Sequence, residues 1–549
     1  MTLAADLRAR AAGGPALRVP RALVAVRDGW VNHSSPVVLA AAVAGVALGV
    51  RSFGLVHGFE LWVDEMLYAD LGASAGRGEM PRLADGPFFL HPPGFFLIAG
   101  AVIRVLGLET ADSMTLVYDL RWLTAVLGAL TVALAFLLIR RIAGTAPALW
   151  VAAVLVVEPF VLRNNSRVFL ETSACLFVIA GLLVVIDYLA GPERGRWFLR
   201  LLGGGVLAGY GVMTKDVLVV FAVLPVLVAV LWRHTLRLRE AAVFLVGSAL
   251  PYTLYLSVLW LTGYLGNWIE AKQQGLARLS GEPQISGFNA PNAPSLVSRL
   301  IEEAQQYATS YVLLAICPLA GLIAAFSRHP GRRLVGLAAM IMGMLGLYLA
   351  AFGTLEEQFG YPVVLASVMA IAIAPVELAC RWPVLRRPAT VLMSLFLAAA
   401  VFMGLRLELA DDDGFLQYDR WAAEELPAGA RVGVTNDTSA RAFGLDPRYG
   451  LWTTAPLLHE NGAQYVLTVS HPIEQGYAMA HPELLSWLER HATVLFLDRG
   501  ETNGETLLWF IDRETLERGA ADGVGGPPPE ALDAGTGGQH TSGSHDGGP

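Results

Sequence analysis

The sequence predicts a polytopic α-helical membrane protein of about eleven transmembrane helices, with a small extracytoplasmic α/β domain at its C-terminal end. Three observations carry that prediction. Hydrophobic residues make up 54% of the chain and charged residues only 16%, with a mean hydropathy of +0.51, a balance typical of integral membrane proteins. The apolar residues are gathered into stretches of about 20, the length that crosses a bilayer as a helix. Composition then changes at Asp411-Asp412-Asp413, after which polar residues return and short alternating runs begin.

The spans are read near residues 36–54, 118–139, 146–162, 169–189, 198–213, 217–232, 241–262, 309–326, 334–352, 361–379 and 389–408. Residues 1–35 carry Arg8, Arg10, Arg18, Arg21 and Arg27 without a signal-peptide pattern, so the N-terminal segment is expected in the cytoplasm. With that start, the pairs and triplets Arg140/Arg141, Arg194/Arg196, Arg233/Arg237/Arg239, Arg328/Arg332/Arg333 and Arg381/Arg386/Arg387 all fall on the cytoplasmic side, as the positive-inside rule requires. The apolar stretch 93–108 is short, holds Arg104 and follows His91-Pro92-Pro93. Counting it as a span would move every later basic cluster outside. It is therefore read as an interfacial or re-entrant helix within an outer loop of about 55–117.

Residues 409–518 read as the α/β domain, with strands at 431–435, 464–469, 493–497 and 506–511 and a helix at 482–490. The tail 519–549 is rich in Gly, Pro, Ser and His and is expected to be disordered. A net charge of −8 and the lack of a basic tract interleaved with aromatics exclude a nucleic-acid binder. Cys175, Cys317 and Cys380 sit in or beside apolar stretches and read as small core hydrophobes.

The chemistry-bearing residues share one side of this topology. They are Asp64, Glu65 and His91 in the first outer loop, Arg163, Arg167 and Glu171 after the third span, Lys215 and Asp216 after the fifth, and Glu356, Glu357, Gln358 and Tyr361 after the ninth. Ionisable groups at membrane helix ends are costly unless paired, solvated or functional. The adjacent carboxylates in Trp62-Val63-Asp64-Glu65-Met66-Leu67-Tyr68 are the clearest candidate for acid–base work.

This pattern resembles the GT-C type membrane glycosyltransferases, in the branch of the protein O-mannosyltransferases and the lipid A aminoarabinose transferase. The resemblance rests on Asp64-Glu65 followed by Tyr68, on His91-Pro92-Pro93, on Arg167 with Glu171 four residues later, and on the run from Gly205 through Gly209 to Thr214-Lys215. It covers roughly residues 36–380. Members commonly have Asp where this chain has Glu171, and the eukaryotic mannosyltransferases have Gly-Lys where it runs Gly94-Phe95-Phe96.

The resemblance implies transfer of a sugar from a polyprenyl-phosphate donor to a hydroxyl of a protein, lipid or glycan acceptor on the outer face, with inversion. Asp64 is then the general base and Glu65 orients it or the acceptor, two roles that the sequence leaves exchangeable. Lys215, Arg167 and His91 meet the donor phosphate, while Glu171, Tyr68, Glu357 and Tyr361 support. No cofactor is required. A divalent metal is compatible with such chemistry, but no compact ligand cluster is written in the sequence. A plasma membrane, in a bacterium, is the expected location. Two rival classes are a lipid-linked sugar flippase or transporter and a non-catalytic envelope scaffold; the first should display internal repeats or helices broken at mid-span, the second needs only one or two spans.

Overall fold

The computed structural model describes residues 35–84, 86–191, 196–283, 287, 289–291, 293–352, 355 and 357–526. The N-terminal arginines, Arg194, Glu356, the side chain of Glu357 and the tail beyond 526 lie outside the described residues.

The membrane part opens with α1 (Pro36–Phe53), which is capped by Ser35 and has Pro36 in its first turn, where a missing N–H costs nothing. Next come α2 (Val63–Gly76) and α3 (Gly94–Leu106), joined through the two-residue strands β1 (Arg82–Leu83) and β2 (Gly86–Pro87). The 31-residue α4 (Ser113–Ala143) follows, then α5 (Thr145–Val157), α6 (Pro159–Asn165), α7 (Leu170–Ala190) and α8 (Trp197–Val212). A broken run holds α9 (Val219–Ala222) and α10 (Leu224–Leu231). The rest is α11 (Leu238–Leu261), α12 (Leu265–Leu279), α13 (Leu296–Ala325), α14 (Pro330–Ala351), α15 (Glu357–Arg381) and α16 (Arg386–Glu408).

Among the described residues eight helices are long and apolar enough to cross a membrane: α1, α4, α7, α11, α13, α14, α15 and α16. The third expected span is a pair, α5 and α6, bent by 63°. The bend sits at Glu158-Pro159, where proline starts a new helix and the Glu158 carboxylate caps it by accepting from Val161 N–H at 3.0 Å. The fifth and sixth expected spans are the shorter apolar helices α8 and Asp216–Leu231, interrupted at Thr214-Lys215 and again before Pro225. At 13 residues α3 is about 20 Å long, short of a hydrocarbon core of roughly 30 Å. It buries Phe95, Phe96, Ala99 and Ile103 and leaves Leu97, Val105 and Leu106 exposed.

Two close backbone approaches set the site. Helix α8 lies against α11 because Gly205 and Gly209 have no side chain; a Cβ on Gly209 would stand 2.1 Å from the Ser248 carbonyl oxygen. Small residues four apart let membrane helices meet in this way, and the packing fixes where Lys215 leaves the end of α8. Gly94 does the same between loops. Its N–H donates to the Met213 carbonyl at 3.0 Å, Tyr210 donates to its carbonyl at 2.9 Å, and a Cβ there would collide with Thr214. Gly94 thus seats the His91-Pro92-Pro93 segment against Thr214-Lys215.

The C-terminal domain starts with α17 (Gly414–Glu425) and is built on a five-stranded sheet in the order β4-β3-β5-β7-β6. Strand β3 (Val432–Val434) pairs parallel with β4 (Tyr449–Gly450) and β5 (Tyr465–Val469), while β7 (Gly504–Phe510) runs antiparallel to both β5 and β6 (Thr493–Gly500). The helix Pro482–His491 buries Leu484, Leu485 and Leu488 against the sheet. Helix Arg513–Ala521 continues past the expected boundary at 518; its N-cap is Asp512, which accepts from Thr515 N–H at 2.9 Å.

The domain is fastened to the first loop just ahead of Asp64. Asp412 N–H donates to the His57 carbonyl at 2.6 Å, and the Asp412 carboxylate accepts from the N–H of Glu60 at 3.1 Å, the Thr502 N–H at 2.9 Å and the Thr502 hydroxyl at 2.6 Å. Glu60, itself buried, accepts from Leu61 N–H at 2.8 Å, Phe415 N–H at 2.9 Å and the Asn503 amide at 3.2 Å. Burial, and then the neighbouring Asp412 carboxylate, push Glu60 up to about 8 against those donors. A carboxyl raised in the folded state contributes stability that is complete below its unfolded value, near 4.5, and is lost as pH rises through about 8. The melting temperature of wild type should therefore fall between pH 5 and pH 8.5. That fall should shrink in Glu60→Gln, and an equal slope in both proteins would remove Glu60 as its source.

Candidate active site

The site begins at the N-terminus of α2. Trp62 is the extended residue before the helix, and the Glu65 carboxylate turns back to accept from its N–H at 3.2 Å, one half of a capping arrangement. The same carboxylate receives Arg121 of α4 in a two-pronged pair, Nε to Oε1 at 2.9 Å and Nη2 to Oε2 at 2.8 Å, together with Val168 N–H at 2.9 Å. Arg121 also donates to the carbonyls of Leu55 at 2.9 Å and Phe59 at 2.7 Å. Glu65 and Arg121 are both fully buried. Glu65 therefore ties the first loop, α4 and the turn before α7 together, with its lone pairs already taken by donors.

One residue earlier, Asp64 faces elsewhere. Its Oδ2 accepts from the Gln358 amide nitrogen at the start of α15. The Gln358 amide oxygen accepts from Lys215 Nζ at 3.1 Å, and Lys215 forms an ion pair with Glu171 of α7 at 2.7 Å. The Lys215 ammonium also lies 5.6 Å from the Phe359 ring centre. Four segments far apart in sequence thus form one row: Asp64, Gln358, Lys215, Glu171.

Beside the row, His91 is edge-on to the Tyr68 ring at 5.9 Å and tilted against Phe88 at 6.0 Å. Burial, then the positive charges of Lys215, Lys272 and Arg278, hold its imidazole well below the usual histidine range. At neutral pH it is a neutral ring that can donate a hydrogen bond and carries no charge. Lys272 reaches in from α12, donating to the Leu90 carbonyl at 2.6 Å and pairing with Asp216. A carboxylate is thus joined through one amide to an ammonium, with further cations near His91, an arrangement chemically able to accept a proton beside a site for an anion.

Other sequence-predicted residues have partners beyond this row. Arg167 is buried, donates to the Thr502 hydroxyl of the C-terminal domain at 2.9 Å and lies 5.9 Å from the Trp62 ring centre. Tyr361 is buried one turn inside α15, close to Cys175, Arg51 and Glu171. Arg163 donates to the Tyr307 hydroxyl at 2.6 Å. Lys272, Arg278 and Arg121 receive no role from the sequence, and Gln358 is placed on the face without one. The visible signal for the first two is the amphipathic α12, whose basic residues follow the end of α11. Among the described residues no three His, Cys, Asp or Glu side chains converge as a metal-binding set.

Residues 107–268 match the family model of the dolichyl-phosphate-mannose-protein mannosyltransferases. The fold is shared with ArnT from Cupriavidus metallidurans, in its structure bound to undecaprenyl phosphate, over 88% of this chain and 98% of that one, at a TM-score of 0.52 and 14% identity. The chain has the GT-C fold, and one stretch of it matches the mannosyltransferase family model. The fold extends to the oligosaccharyltransferase of Archaeoglobus fulgidus, in complex with Zn and sulfate, in a match over 85% of this chain and 72% of that one, at a TM-score of 0.50 and 10% identity. No curated protein matches the chain in sequence. The family-matched stretch includes Arg121, Glu171 and Lys215 and leaves out Asp64 and Gln358.

Proposed function

We propose that this protein is a glycosyltransferase that moves a sugar from a polyprenyl-phosphate donor to an acceptor hydroxyl at the membrane face that carries the C-terminal domain, the outer face of a bacterial plasma membrane, with inversion at the anomeric carbon. The observation that carries the reading is the row in which one amide joins the Asp64 carboxylate to the Lys215 ammonium at the ends of membrane helices. A lipid-borne phosphosugar reaches such a place without leaving the bilayer. The undecaprenyl phosphate in the ArnT structure supports that donor class.

In this reading the acceptor oxygen attacks the anomeric carbon as its proton passes to Asp64. The bond from that carbon to the phosphate oxygen breaks, and its electron pair leaves with the polyprenyl phosphate. A positioned base contributes about 10²- to 10⁴-fold. Lys215 meets the growing phosphate charge, with Lys272 and Arg278 adding positive potential and neutral His91 offering an N–H. A fixed donor at developing charge is typically worth about 2.7 to 4 kcal/mol. Glu171 holds Lys215, and Glu65 holds the helix end from which Asp64 projects. Arg167 and Thr502 join the C-terminal domain to the wall behind Trp62, on the side where an acceptor would approach.

The test is mass spectrometry of polyprenyl phosphate released when the reconstituted protein meets a panel of polyprenyl-phosphate sugars and a crude envelope acceptor fraction. Release by wild type, with the labelled sugar recovered on an acceptor, is expected. Folded wild type that releases nothing from any donor while moving lipid-linked sugar across vesicles would instead establish a flippase.

A further inference from the structure

We infer that Gln358 is a positioning residue: its carboxamide holds the Asp64 base at one end and the Lys215 ammonium at the other, orienting the base while keeping the cation off it. The inference rests on the roles proposed above for Asp64 and Lys215. The direction of the amide is forced. An ammonium only donates, so Lys215 must meet the amide oxygen, and a carboxylate only accepts, so Asp64 must meet the amide nitrogen. With that one orientation Gln358 stabilises the ionised, proton-accepting form of Asp64.

A neutral spacer matters because of what direct contact would do. An ammonium within about 4 Å of a carboxylate lowers its pKa by roughly one to three units, and a weaker base takes a hydroxyl proton less well. It would also occupy the cation that the leaving phosphate needs. Here Lys215 is balanced from its far side by Glu171 at 2.7 Å and touches the base only through the amide. Two of the three ammonium hydrogens are engaged in this way, and the third suits a phosphate oxygen. Gln358 itself is buried. Gly360 behind it packs so tightly on Phe160 that a Cβ would stand 2.9 Å from the ring, and Phe359 flanks Lys215. The start of α15 is therefore held firmly enough to aim an amide.

Among the described residues, the charged and titratable groups at this end of the helices include Glu65 on Arg121 with Glu60 beside them, Lys215 on Glu171, Lys272 on Asp216, His91 with Arg278 near it, and Arg167 against Trp62. Changing Gln358 to a charged residue alters this set at its centre. Full-length protein reconstituted in vesicles would be compared as wild type, Gln358→Glu, Gln358→Leu and Asp64→Asn, following kcat/KM against pH and affinity for polyprenyl phosphate. In Gln358→Glu the second carboxylate should move the acid limb upward by about one unit or more, so activity lost at pH 7 returns at higher pH. Gln358→Leu should lose roughly ten- to a hundredfold in kcat while polyprenyl-phosphate affinity stays within about threefold. A merely structural residue would lower the folded fraction and leave the limb where it was.

An unmoved limb in folded Gln358→Glu overturns the inference. If that variant does not fold, Gln358→Leu decides: wild-type turnover, or a loss of donor affinity with kcat unchanged, overturns it as well. Inactive Asp64→Asn beside wild-type-like Gln358 variants would refute the positioning role and leave the proposed reaction standing. Active Asp64→Asn would refute both.

Discussion

Asp64→Asn is expected to fold, to bind polyprenyl phosphate as wild type does, and to lose at least about a hundredfold in kcat. Asparagine keeps the shape of the side chain and still offers the Gln358 amide an oxygen, so the row to Lys215 survives the change. What disappears is the acceptor for the hydroxyl proton. The neighbouring Glu65→Gln should behave in the opposite sense. An amide cannot receive both prongs of Arg121 together with Val168 N–H and Trp62 N–H, and breaking one partner of a buried pair typically costs about 3 to 5 kcal/mol. Glu65→Gln should therefore show its loss in melting temperature, and Asp64→Asn in single-turnover rate. Near-wild-type turnover by Asp64→Asn would remove it as the base, and a stable but inactive Glu65→Gln would transfer the role to Glu65.

That two adjacent carboxylates divide so cleanly was not legible in their sequence. Consecutive residues on a helix point about 100° apart, so the two carboxylates take different partners, but nothing in the local pattern says which partner each one takes. The partners decide it, and they are distant: Arg121 lies 56 residues from Glu65, and Gln358 lies 294 residues from Asp64. A glutamine at a helix start carries no charge to point to its partners, so its place between Asp64 and Lys215 is invisible until the chain is folded. Lys272 and Arg278 are hidden for a related reason, since basic residues on the amphipathic α12 read as a headgroup contact. The spans, by contrast, were legible wherever a long apolar stretch is unbroken. Where Pro159 or Pro225 interrupts one, the sequence kept its hydropathy and lost its straight helix. In the C-terminal domain the alternating strands could be read, whereas β4, two residues long, is too short to display alternation.

Lys215→Ala is expected to be nearly as damaging as loss of the base, though through two effects that have to be separated. Removing the ammonium takes a phosphate donor from a dry site, worth about 10²- to 10³-fold in kcat. It also leaves Glu171, only 1% exposed, without its counter-charge, a loss of about 3 to 5 kcal/mol in stability. Lower activity in the single variant would therefore not by itself distinguish chemistry from unfolding. Lys215→Met combined with Glu171→Gln does, because it keeps the volume of both side chains and neutralises both charges together, a change that buried pairs often tolerate. Its melting temperature should return towards wild type, while kcat and the affinity for polyprenyl phosphate stay low, because no ammonium is left to meet the leaving group. If the double variant regained turnover along with stability, Lys215 and Glu171 would be a structural pair alone, and the phosphate would have to be held from α12 by Lys272 and Arg278.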